Sequence, residues 1–271
     1  MTAVARHKPP RLPGQRPGAP WGWAAAGLLA GALTALVLFA PARWLTGAIE
    51  RASAGQVLLA DARGTVWDGT ARLVLTGGAG STDATALPGR LQWQLRPAFN
   101  GLAARISADC CTTVPLQLRV ALGLGKARVT VADGVSMWPA AVLAGLGTPW
   151  NTLQLDGELG LSTQGLSVEW SAGRLAVGGR AELAAARISS RLSTLRPMGS
   201  YRITLNGGAT STLELATLEG SLQLSGNGRW VGSRLRFEGV ASAAPEREAA
   251  LSNLLNIIGR RNGARSIITI G

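Results

Sequence analysis

Between residues 153 and 238 apolar and polar side chains alternate in stretch after stretch, and most stretches stop at a glycine-containing pair. Period-two alternation belongs to strands with one face buried and one wet, so this stretch cannot pack as helices. Strand-like segments fall at 158–161, 166–170, 174–177, 180–183, 201–205, 213–215, 221–224 and 234–238. Turns are expected at Gln164-Gly165, Ala172-Gly173, Asn206-Gly207-Gly208 and Gly226-Asn227-Gly228, where glycine and asparagine supply the positive φ of tight hairpins. Nearer the N-terminus, 57–60, 71–75, 90–95, 116–120 and 127–131 alternate in the same way, with a GTVWDG turn at 64–69 and a small-residue loop at 77–86. The expected fold class is all-β, mainly an antiparallel meander in a curled sheet or sandwich.

Two helices interrupt the alternation. Ser136 is placed to cap a short one over 137–146, with Pro139 in its first turn. A C-terminal amphipathic helix is expected over 245–261: Pro245 opens it, Glu246 and Glu248 sit in its positive first turn, and Arg260 and Arg261 lie near its negative end. Leu251, Leu254, Leu255 and Ile258 form its apolar stripe, and a last strand follows over 266–270. LDGELGL at 155–161 and LEGSLQL at 218–224 share a pattern, which suggests β regions at 45–150 and 151–271, or one continuous domain over 45–271.

The strands are preceded by a different kind of segment. Residues 24–40 carry no charge, and Thr34 is their only polar side chain. Together with the Trp21–Trp23 stretch they make roughly 30 Å of helix, the thickness of a bilayer's hydrocarbon core. Trp21 and Trp23 at one end, and Phe39 and Trp44 at the other, suit the headgroup zones. Ala40-Pro41-Ala42 resembles an export-signal cleavage site, but the apolar stretch is longer than a signal core, which favours a retained transmembrane helix over 21–41. The leader, residues 1–20, contains Arg6, Lys8, Arg11, Arg16 and five prolines. It reads as disordered and cytoplasmic, with the bulk of the chain translocated; in a bacterial inner membrane this would put residues from about 45 onward in the periplasm. Gly27, Gly31 and Ala35 share one helical face, close enough packing for a homodimer; glycine and alanine are also simply common in this chain.

Composition excludes several functions. Removing the four leader cations from 27 Lys and Arg leaves 23, against 15 Asp and Glu. All but Lys126 are arginines, spread singly along strands rather than clustered among aromatics as a nucleic-acid reader requires. The lone histidine, His7, lies in the leader, so neither a histidine-based catalytic triad nor a histidine-ligated metal is available beyond it. Asp156 and Glu158 lie two apart on one strand face, a solvated arrangement more often than a catalytic pair. Cys110 and Cys111 lack the further ligands of a zinc site; as neighbours they are open to three readings, buried thiols, a vicinal disulfide or an intermolecular bridge. Trp67, Trp93, Trp138, Trp150, Trp170 and Trp230 read as core anchors rather than a ligand groove. No cofactor and no catalytic residue is expected.

The order of these features carries a resemblance. A basic leader, one apolar helix, the 64–69 turn, Trp138-Pro139 before LGTPW at 146–150, LRPMGSY at 195–201 and LLNIIGRRNG at 254–263 together resemble the type II secretion system protein N (GspN) family. That resemblance implies a non-enzymatic, single-pass inner-membrane protein with a periplasmic domain, whose partners are other type II secretion subunits in the export of folded proteins. It brings no site residues. Repetitive short strands behind one anchor also look like AsmA-type periplasmic proteins, which would imply a lipid-holding groove.

Overall fold

A computed structural model describes residues 21–271 except Ala172 and Ser233; the leader lies outside the described residues. The chain forms two units, residues 1–39 and 40–271. Helix α1 (Trp21–Leu38) makes up the described part of the first. The second starts with α2 (Ala42–Ala52) and is otherwise built on one open, curled sheet.

The strands are β1 (Val57–Gly64), β2 (Asp68–Thr76), β3 (Ala84–Ala86), β4 (Leu91–Ala98), β5 (Gly101–Ala108), β6 (Leu116–Gly123), β7 (Lys126–Val131) and β8 (Gly134–Pro139). After a 3-10 helix (Ala140–Leu146) and the one-turn α3 (Trp150–Leu153) come the long β9 (Leu155–Ser171) and β10 (Arg174–Ser190). Then follow β11 (Gly199–Asn206), β12 (Thr212–Gly220), β13 (Leu222–Val231), β14 (Arg234–Ala243), α4 (Glu248–Ile258), β15 (Arg260–Asn262) and β16 (Arg265–Ile270). Nearly every strand pairs antiparallel with its sequence neighbour, in the order β1-β2-β4-β5-β6-β7-β9-β10-β11-β12-β13-β14-β16-β15. Hydrogen bonding runs without interruption past residue 150, because β9 pairs with β7 over 167–171 and with β8 over 158–163.

The register lines apolar residues up on one face. Leu159, Ala185 and Tyr201 are successive cross-strand partners, as are Leu161, Leu183, Ile203 and Leu215 two residues along. At the far end of the sheet, away from residue 40, α4 buries Leu251, Leu254 and Leu255 against Leu159, Ile188, Met198, Tyr201, Leu222 and Ala241. Each fully buried leucine there contributes about 2–3 kcal/mol of transfer free energy. The 3-10 helix adds Val142 to Leu87, Ala108 and Cys111. A third cluster joins Ala42 and Leu45 of α2 to Ala71, Trp93, Leu59 and Ile106.

Several local expectations are corrected. Residues 137–139 are strand, because β9 supplies backbone partners for all of β8; only Ala140–Leu146 is helical, as 3-10. Ser136 is buried in β8 and its hydroxyl accepts from the Trp138 indole N–H at 2.8 Å, so it caps nothing. The last helix is shorter than 245–261: Glu246 sits at φ 68°, outside helical space, and Arg260 and Arg261 belong to β15. Helix α2 is additional to the expected elements. Gln164-Gly165 lies inside β9, and Gly226-Asn227-Gly228 inside β13. Those two glycines of β13 are needed for packing rather than turning, since the Phe237 ring covers the positions their Cβ atoms would take. LDGELGL runs within β9, whereas LEGSLQL spans the β12–β13 turn, so the shared pattern marks no shared structure. Trp93 is buried, Trp67, Trp138, Trp150 and Trp230 are half-buried, and Trp170 is 61% exposed, which removes it from the core.

Candidate functional site

Among the described residues α1 is the one helix long and apolar enough to cross a membrane by length and composition. Trp21 and Trp23 are about four-fifths exposed and Phe39 nearly as much among the described residues. Among the described residues no atom outside the helix's own backbone lies within 4 Å of where a Cβ would stand on Gly27 or Gly31. The Thr34 hydroxyl donates to the Ala30 carbonyl at 2.8 Å, satisfying the segment's polar side chain within the helix. Trp44 sits in α2 and is half exposed.

Residues 40 and 41 begin the second unit, and the GTVWDG turn holds them. The Val66 N–H donates to the Ala40 carbonyl at 2.8 Å, and Pro41 bridges to Thr65. Thr65 organises this turn: its hydroxyl accepts from the Trp67 and Asp68 N–H groups at 3.2 and 3.1 Å. From β4, the Trp93 indole N–H donates to the Val66 carbonyl at 3.1 Å and the Leu95 N–H to the Trp67 carbonyl at 2.6 Å. Arg96 grips both carboxylate oxygens of Asp68 at 2.7 and 3.2 Å, and that carboxylate raises the arginine's pKa. The motif that carries part of the family resemblance is thus a clamp on the chain just past the apolar segment.

From this near end outward, the sheet's apolar face continues beyond its covering elements. Leu102, Val120, Val129, Val168 and Val177 are successive cross-strand partners and stay half-buried. The next row, Leu122, Ala127, Trp170 and Leu175, is more open, with Leu122 at 60%. On the opposite face arginines pair with carboxylates across strands, Arg128 with Glu169, Arg187 with Glu158 at 3.2 Å and Arg202 with Glu182 at 3.0 Å, while Arg180 reaches Glu182 along its own strand at 3.1 Å. The Arg128 guanidinium hydrogen-bonded to Glu169 holds that carboxyl below its ordinary range. Single arginines dispersed along strands are therefore partly cross-strand partners, a pattern invisible before the register is known.

The remaining candidates are structural. Asp156 caps the Gly157 N–H beside it at 3.0 Å, and Glu158 is taken by Arg187; the two carboxylates do not converge. Among the described residues no group of three or more His, Cys, Asp or Glu side chains could hold a metal. Cys110 and Cys111 are joined by a disulfide in the turn after β5, with Cys110 exposed and Cys111 buried. The Cys111 carbonyl accepts from the Met137 N–H at 2.9 Å, tying that turn to β8. Burial raises the pKa of the Tyr201 phenol, whose oxygen has no hydrogen-bond partner among the described residues, and its ring belongs to the core.

The described residues thus comprise an open antiparallel sheet and one apolar helix long enough to cross a bilayer. The family model of the type II secretion system protein N matches residues 55–268, from just before β1 into β16, and the chain belongs to that family. Membership makes it a component of the type II secretion machinery that interacts with other parts of that system. No curated protein and no solved structure gives a significant match.

Proposed function

We propose that this chain is a non-enzymatic, inner-membrane-anchored periplasmic component of the type II secretion machinery, which docks neighbouring subunits during export of folded proteins. The observation that carries the reading is the family match over the whole sheet, directly behind a segment able to cross a bilayer. Helix α1 is the single-pass anchor, with the basic leader in the cytoplasm. Strand addition is the natural docking mode: β1 pairs with β2 alone, so its other edge offers backbone donors and acceptors to an incoming chain. At the opposite edge β15 is short and exposes Arg260 and Arg261, charges that discourage such pairing. The test is deletion of the gene in its host. Loss of substrate export, restored by the intact chain but not by one lacking residues 21–41, is expected; unchanged export with all other components assembled would overturn the docking role.

A second reading, a lipid-holding groove, is favoured by the partly uncovered row from Leu102 to Val177. Organic extraction of the purified chain tests it, since a groove predicts phospholipid in fixed ratio to protein after detergent exchange.

A further inference from the structure

The near end of the sheet carries the most exposed apolar side chains of residues 40–271. Phe99, between β4 and β5, is 109% exposed, and Leu124, between β6 and β7, is 104% exposed. Leu122 and Trp170, on the same edge, are 60 and 61% exposed. These hairpins are adjacent: Leu122 opposes Ala127, which opposes Trp170, and the Leu122 N–H donates to the Asn100 carbonyl at 2.8 Å. Isolated exposed apolar residues need no explanation, but aromatic and leucine side chains gathered on neighbouring turns do.

This edge also carries cations outside the ion pairs. Lys126 and Arg174 both oppose Ser171, from the two strands flanking β9. Neither has an ion-pair partner within 4 Å among the described residues, while Glu169, nearby on β9, is already paired with Arg128. Aromatic and leucine tips flanked by free cations match the boundary of an anionic bilayer, where rings sit among headgroups and cations meet phosphates.

The chain path brings that boundary within reach. Ala40, two residues past α1, is held to Val66 in the turn that also binds Leu95 of β4. Phe99 lies four residues beyond Leu95, about 13 Å further along the strand. Leu95 is level with Ala104 and Leu118, and Leu124 lies six residues beyond Leu118, about 20 Å. The hairpin tips therefore extend along the strands beyond the turn that holds Ala40.

We infer that the tips of the β4–β5, β6–β7 and β9–β10 hairpins dip into the headgroup layer of the bilayer crossed by α1, through Phe99, Leu122, Leu124 and Trp170, with Lys126 and Arg174 on anionic lipid phosphates. This rests on the anchor reading above.

The experiment uses the full chain reconstituted in vesicles of phosphatidylcholine and phosphatidylglycerol. An environment-sensitive fluorophore is placed on one introduced cysteine at a time: Leu33→Cys in α1, Phe99→Cys, Leu124→Cys, and Asn262→Cys in the exposed far-end strand β15. Spin-labelled lipids are expected to quench the first three probes, with blue-shifted emission at 99 and 124, and to leave 262 unquenched. Quenching at 33 with no more at 99 and 124 than at 262 overturns the inference and leaves the anchor standing. No quenching at 33 removes the anchor and this geometry with it. Lys126→Glu with Arg174→Glu is expected to lower quenching at 124 in anionic vesicles and not in pure phosphatidylcholine; equal quenching in both variants and both lipids refutes the role of the cations.

Discussion

A double-mutant cycle on Gly69 and Trp93 tests how the clamp on residue 40 is built. Trp93 is 4% exposed, and its ring covers Gly69 so closely that a Cβ at that position would overlap the ring carbons. Gly69 opposes Trp93 across β2 and β4, with no positive φ, so alanine there is opposed by contact rather than by backbone strain. Gly69→Ala should therefore cost about 2 kcal/mol through overpacking, part of it against the Arg63 carbonyl 2.8 Å from the new carbon. Trp93→Leu removes a buried ring and the indole bond to Val66, and should cost about 3–4 kcal/mol. With leucine at 93 much of the overlap disappears, so the double variant should be more stable than the sum of single effects by about 1–2 kcal/mol. The assay is chemical denaturation of the detergent-solubilised full chain, followed by tryptophan fluorescence with each variant referred to its own baselines. Additivity within about 0.5 kcal/mol would refute the claim that glycine is required because the ring lies over it.

Other expectations follow from the same coordinates. Leu255→Ala, at 0% exposure beneath α4, should cost about 3 kcal/mol, whereas Ile257→Ala on the exposed side of that helix should cost less than about 1 kcal/mol, both read from denaturation midpoints. Glu169 is held below its ordinary value of 4.5 by Arg128, so its contribution to stability is present above that pH and lost as pH falls through the lower folded-state value. Replacing it by glutamine should flatten that part of an acid melting profile, and an unchanged profile would show that the pair is uncoupled from folding. Cys110 and Cys111 should resist maleimide in the folded, non-reduced protein and gain two hydrogens' mass on reduction; labelling without reductant would contradict the bond between them.

The alternation of apolar and polar residues was sufficient to specify strands on its own, because a side-chain period of two has no other packing solution. The apolar run at 24–40 likewise announced a helix able to span a bilayer, since length and lack of charge are properties of the chain itself. Pairing was not legible. Gly226-Asn227-Gly228 has the composition of a turn, and only the Phe237 ring from the neighbouring strand shows why glycine stands there in mid-strand. Met137 to Pro139 could have continued a helix until β9 supplied the hydrogen bonds that made them strand. The same holds for surfaces: Phe99, Leu124 and Trp170 are 25 and 46 residues apart in sequence, and antiparallel registry alone gathers them on one edge beside Lys126 and Arg174. Local propensity is written residue by residue, whereas which faces end up covered depends on contacts between distant segments, and those exist only once the sheet has closed its ladders.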